Sequence, residues 1–81
     1  MNDLYLKTMV PQFEKSMEEF IDGLDSCVVD DLVRYDLGET PVLIKAVELV
    51  SQWKMLENFG AKFSSDLTRW TALDDNIDSL M

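Results

Sequence analysis

Histidine is absent from the 81 residues and cysteine occurs once, as Cys27. With these two gaps, the commonest proton shuttle is missing, and an intrachain disulfide and a cysteine-built zinc site are excluded by counting. Bases are scarce as well. Seven lysines and arginines stand against sixteen acids, for a net charge of -9. Such a balance opposes direct binding to nucleic acid or to an anionic membrane, although an acidic protein can still bind a protein whose own ligand is nucleic acid. No apolar run approaches the ~20 residues that span a bilayer, and the first residues lack the basic flank and long apolar stretch of a signal peptide. The compartment expected on these grounds is the cytoplasm, with no membrane partner. Only three glycines and two prolines punctuate the chain, so the places where they fall carry most of the information about element boundaries.

What remains is a composition of 47% hydrophobic residues, that of an ordinary globular protein. A chain this short buries only ~60–65% of its unfolded surface and supports one core, hence a single domain over residues 1–81. The clearest element is residues 41–59, with Thr40 placed to cap it, Pro41 at its first position and Gly60 to close it. At 100° per residue, Val42, Ala46, Leu49, Trp53 and Leu56 fall on one line, flanked by Leu43, Val47 and Val50. Ile44, Met55 and Phe59 lie off that arc. Either further helices wrap this one or a second apolar strip faces a partner.

Before it, Leu6, Met9, Phe13, Met17, Phe20 and Leu24 keep helical spacing across Pro11. The spacing predicts a helix over residues 8–22 capped by Thr8, with residues 1–7 as an arm; a single helix kinked at Pro11 is the alternative. Asp25 or Ser26 can cap a short second helix with Val28, Val29, Leu32, Val33 and Tyr35 inward and Asp30, Asp31 and Arg34 in water. After Gly60, Phe63, Leu67, Trp70, Leu73, Ile77 and Leu80 recur at three and four, a further amphipathic helix capped near Ser64, Ser65 or Asp66. One rod from Pro41 to about Leu73 is its rival. Asp74, Asp75 and Asp78 oppose the dipole at the helix end, so residues 74–81 are expected to fray. The fold class expected is all-α, a compact bundle of three to four helices around residues 41–59.

The acid is unevenly spread. Residues 14–39 hold nine acids and two bases, -7 of the total, whereas residues 40–63 carry +1. A solvated face that maintains solubility is the ordinary account of such a run. The functional account is a face complementary to a basic partner protein, built from Glu14, Glu18, Glu19, Asp22, Asp30 and Asp31. Carboxylates about 6 Å apart on a helix can also occupy a groove made for phosphates. A second class of function is an assembly subunit of a homo- or hetero-oligomer, such as a small viral particle component, whose surplus apolar residues Ile44, Met55, Phe59, Trp70, Ile77 and Leu80 are buried between chains.

Catalysis has no nominee, and no cofactor or metal is expected. Asp74-Asp75-Asn76-Ile77-Asp78 matches the opening of a calcium loop, but Ser79 replaces the required glycine and no twelfth-position glutamate follows. The acids Glu14, Glu18 and Asp22 share a helix face without further ligands. Cys27, beside acidic residues that disfavour the thiolate, reads as a small buried apolar residue. Trp53 and Trp70 suit core and interface alike. The expected function is therefore a non-catalytic interaction module, an adaptor or inhibitor.

Overall fold

The computed structural model describes residues 2–80. Met1 and Met81, the outermost residues of the expected arm and tail, lie outside the described residues. The chain runs α1 (Asn2–Asp22), β1 (Ser26–Val29), β2 (Leu32–Tyr35), α2 (Thr40–Asn58) and α3 (Thr68–Leu80). The described residues are mostly helical, with three helices and one small two-stranded antiparallel sheet. The all-α expectation is thus corrected at residues 26–35, where a β-hairpin replaces the short helix.

The reason for that correction is local. Asp30 and Asp31 have φ of 54° and 65°, the pair of left-handed residues that a two-residue type I′ hairpin turn requires. Aspartate tolerates that region because its short polar side chain can bond locally. On either side stand β-branched or branched residues, Val28-Val29 and Leu32-Val33, which favour a pleated strand over a helix. The register is Ser26↔Tyr35, Cys27↔Arg34, Val28↔Val33 and Val29↔Leu32. Four residues per strand is too short for helical periodicity to be told from strand alternation by apolar pattern alone.

Continuous helix through Pro11 makes α1 longer than expected, and residues 2–7, expected as a helical or loosely docked arm, are part of it. Pro11 removes one helical donor, at a cost of about 3 kcal/mol in an isolated helix. Packing on both sides of it offsets that loss: Leu6 and Met9 lie against the core before the proline, and Phe13, Met17 and Ile21 are buried after it. Pro11 itself is exposed.

Helix α2 begins one residue earlier than expected. Its N-cap is Glu39, without a side-chain capping bond, and Thr40 is already helical. At its other end Gly60 has φ of 91° and the Ala61 N–H returns to the Leu56 carbonyl, the left-handed closure that the glycine implies. That break disposes of the single rod, and residues 61–67 lead across to α3. The Asp66 carboxylate accepts from the Thr68 N–H at 3.0 Å, satisfying one of the free donors at the start of α3. Helix α3 then continues through Asp74 to Leu80.

Four residues of the expected line on α2, Ala46, Leu49, Trp53 and Leu56, are buried with the flanking Val50 against Phe13, Met17 and Ile21 of α1 and Trp70, Leu73 and Ile77 of α3, while Val42, the fifth, is half-buried at the edge of this core. Trp70 is the point where these elements meet. Its ring stacks edge-on with Phe13 at 5.5 Å, Trp53 at 5.6 Å and Phe63 at 5.1 Å between centroids. Both tryptophans are buried, so neither serves as an exposed interface anchor.

Candidate interaction surface

The acidic column of α1 has internal partners. Glu14 accepts from the Ser64 N–H at 2.8 Å and the Ser64 hydroxyl at 3.0 Å, and the Ser65 hydroxyl donates to it at 3.3 Å. Glu18 accepts from Arg69 at 2.9 Å through one oxygen and from the Trp70 indole N–H at 2.7 Å through the other. Asp22 accepts from the second arm of Arg69 at 2.6 Å. One turn apart, the three carboxylates form a ladder on which residues 64–70 dock. Charges at this spacing repel within an isolated helix, and the guanidinium lying across two of them relieves that repulsion. Arg69 is held above its ordinary pKa chiefly by the bond to Asp22, against the opposing effect of its partial burial. These carboxylates therefore build the fold before they offer anything to a partner.

The carboxylates left over lie elsewhere. Glu19, Asp25, Asp30, Asp31 and Glu39 are exposed and make no side-chain hydrogen bond or ion pair among the described residues. Asp36 is exposed too, and accepts from the Gly38 N–H. Apart from Glu19, this group surrounds the hairpin, where Arg34 is the one base between residues 24 and 39.

The hairpin is also apolar and uncovered. Val28 is 69% exposed, Leu32 57% and Val29 50%, whereas the helical reading placed them inside. Cys27 is exposed as well, contrary to the expectation of a buried residue, because its strand packs on no helix. Tyr35 is half-buried, and Leu37, buried just beyond β2, ties the hairpin to the core.

Asn76 of α3 holds β2. Its side-chain oxygen accepts from the Tyr35 N–H at 2.9 Å, and its amide donates to the Val33 carbonyl at 3.0 Å and to the Ala72 carbonyl at 2.6 Å. The amide thus occupies the place a peptide group of a third strand would take on the outer edge of β2. Nothing in the sequence marked Asn76 for this, since its partners on β2 lie more than forty residues away. It was conspicuous only within the calcium-loop match, and here that stretch is helical, with Asp74 paired to Lys54 at 3.1 Å. That pairing raises the Lys54 pKa, first through the hydrogen bond and then through the charge of Asp74. Among the described residues no cluster of carboxylates and thiol has the convergence a metal ion needs.

The apolar candidates divide. Ile44, Met55 and Phe59 are 54%, 43% and 53% exposed along one side of α2, and Leu80 is exposed near the end of α3. Trp70 and Ile77 are buried in the core and withdrawn from any partner. No described helix is long and apolar enough to cross a membrane. Comparison with protein-family models, curated proteins and solved structures finds no match.

One acid-sensitive contact is open to direct test. The Thr68 N–H holds the Asp66 carboxyl below its ordinary value of 3.8. A depressed carboxyl stabilises the fold above its unfolded pKa, and that contribution is lost as pH falls through the folded value. Asp66→Asn should therefore lower the melting temperature at neutral pH, and the gap should narrow in acid as pH falls through the folded value. A gap in melting temperature that stays constant between the two conditions would remove Asp66 from the acid response.

Proposed function

We propose that this chain is a non-catalytic protein–protein interaction module, an acidic adaptor or inhibitor that docks its hairpin end on a basic protein, such as one that itself binds nucleic acid. The observation that carries the reading is the division of the acids. Glu14, Glu18 and Asp22 are bound within the fold, whereas Asp25, Asp30, Asp31 and Glu39 surround exposed apolar strands with no side-chain partner among the described residues. A patch that combines uncovered apolar area with one sign of charge suits association, in which burial supplies affinity and charge supplies rate and orientation.

The turn offers a clean test, because Asp30→Asn with Asp31→Gly installs the preferred type I′ pair while removing two charges. The hairpin should gain stability as binding is lost. Peptide-display selection on the parent should enrich lysine- and arginine-bearing ligands that bind the double variant more weakly and that weaken as salt shortens the screening length from about 10 Å at 0.1 M to about 3 Å at 1 M. Selected ligands without positive charge, bound equally by the variant and at either salt, would leave the acidic end with solubility as its role. The assembly-subunit reading then takes precedence. It rests on the exposed strip of Ile44, Met55 and Phe59, and it requires a defined oligomer by light scattering that Ile44→Asp with Met55→Asp dissolves.

A further inference from the structure

The two edges of the hairpin are not equivalent. The Asp36 N–H donates to the Asp25 carbonyl at 2.8 Å, so residues 25 and 36 form a hydrogen-bonded pair. Alternation along the ladder makes 27 with 34 and 29 with 32 bonded pairs as well. The N–H and C=O groups of Ser26 and Val28 therefore point away from β2, as those of Val33 and Tyr35 point away from β1. Asn76 satisfies Val33 and Tyr35. Nothing among the described residues satisfies Ser26 and Val28, and β1 packs only on β2. Natural sheets protect such an edge with proline, lysine, a bulge or a covering segment, none of which β1 has, so that only its shortness and the acids at its two ends guard it.

We infer that the free edge of β1 binds an extended segment of a basic partner protein as a third strand, whose lysine or arginine side chains reach Asp25 at one end of β1 and Asp30-Asp31 at the other. The inference rests on the acidic-module reading and gives it a mode of binding. Main-chain bonds to Ser26 and Val28 supply the pairing, as in other cases of strand addition, and Val28 on one face and Cys27 and Val29 on the other take apolar side chains. The spacing is specified too. Asp25 and Asp30 are five residues apart on an extended strand, roughly 17 Å, so the partner's basic residues stand about five positions apart with β-branched residues between them. Charge selects the occupant. A second copy paired edge to edge would bring Asp25, Asp30 and Asp31 of two chains of net charge -9 together, a like-charge juxtaposition that disfavours the wrong partner.

The probe is the peptide acetyl-Arg-Lys-Val-Thr-Val-Ile-Lys-Arg-amide, titrated into the whole chain under reducing conditions and followed by amide NMR and calorimetry. Binding should protect the Ser26 and Val28 amides from exchange. The same peptide N-methylated at alternate residues on its bonding edge keeps its charge and composition but should bind at least about tenfold more weakly. Val28→Pro should reproduce that loss, because proline removes an outward donor that the β1–β2 ladder does not use. Unchanged exchange protection of the Val29 and Arg34 amides would show the hairpin intact. Should Val28→Pro fail to fold, the N-methylated peptide decides by itself. Equal binding of both peptides, or no binding of either, overturns strand addition. The acidic-module reading is judged separately, by the charge of its display-selected ligands and their response to the Asp30-Asp31 variant. A concentration-dependent dimer of the peptide-free chain that Val28→Pro abolishes would make the occupant a second copy and also overturn the inference.

Discussion

Trp70→Ala is expected to lower the stability of the domain by about 3–5 kcal/mol, through lost transfer energy and the cavity left behind. A chain of this length has a total of roughly 4–12 kcal/mol, so the variant should be largely unfolded or close to it at physiological temperature. The effect is large because of position as well as area. Trp70 is fully buried, contacts Phe13, Trp53 and Phe63 edge-on, and donates its indole N–H to Glu18. Trp53 provides the contrast, since it is also buried but its indole N–H has no partner within the described structure. Removing an unpaired buried donor recovers part of the cost of lost volume. Trp53→Phe should accordingly destabilise less than Trp70→Phe, by urea midpoint at constant slope. The reverse order would show that the Trp70–Glu18 bond contributes nothing.

The second large effect is expected at Glu18. Its two oxygens bridge Arg69 and the Trp70 indole, so Glu18→Ala strands a buried donor and leaves the guanidinium with Asp22 alone. An unsatisfied buried group costs about 1–3 kcal/mol, and loss of the partly exposed ion pair adds at most about 1 kcal/mol. Glu18→Gln keeps an acceptor for the indole and gives up the charge, and should recover most of the difference. Equal destabilisation by alanine and glutamine, reduced in high salt, would assign the effect to the ion pair alone. As an exposed acid on a solubilising face, Glu18 would be neutral to either change.

Legibility followed the length of the pattern. Over nineteen residues α2 repeats its apolar line often enough to expose the core, and Gly60 marks its end by the one conformation it alone adopts easily. The off-arc residues Ile44, Met55 and Phe59 are exposed, as their phase requires. Pro11 marks a boundary by its local penalty alone, whereas the packing on either side of it, which no local pattern shows, carries the helix through. The hairpin was hidden for a different reason: Val28-Val29-Asp30-Asp31-Leu32-Val33 places apolar residues at spacings that suit a short helix as well as two strands. The usable signal was the acidic pair between two branched runs, although Asp-Asp is a less common type I′ turn than Asn-Gly. Glu14, Glu18 and Asp22 were legible as a column but not as a docking ladder. Their partners Ser64, Ser65, Arg69 and Trp70 lie about fifty residues downstream, and no periodicity reports a contact at that distance.

That separation also has a consequence for biosynthesis. At about 5–20 residues per second, a chain under translation waits roughly 3–10 seconds between the appearance of Glu18 and that of Trp70. Throughout that interval Phe13, Met17 and Ile21 have no aromatic cluster to enter, and the carboxylates beside them have no guanidinium to neutralise them. The nascent segment is therefore held apart from its neighbours by its own negative charge while its apolar side is uncovered. Arg69 then relieves the repulsion between Glu18 and Asp22 at the moment when Trp70, the next residue, is ready to close the core.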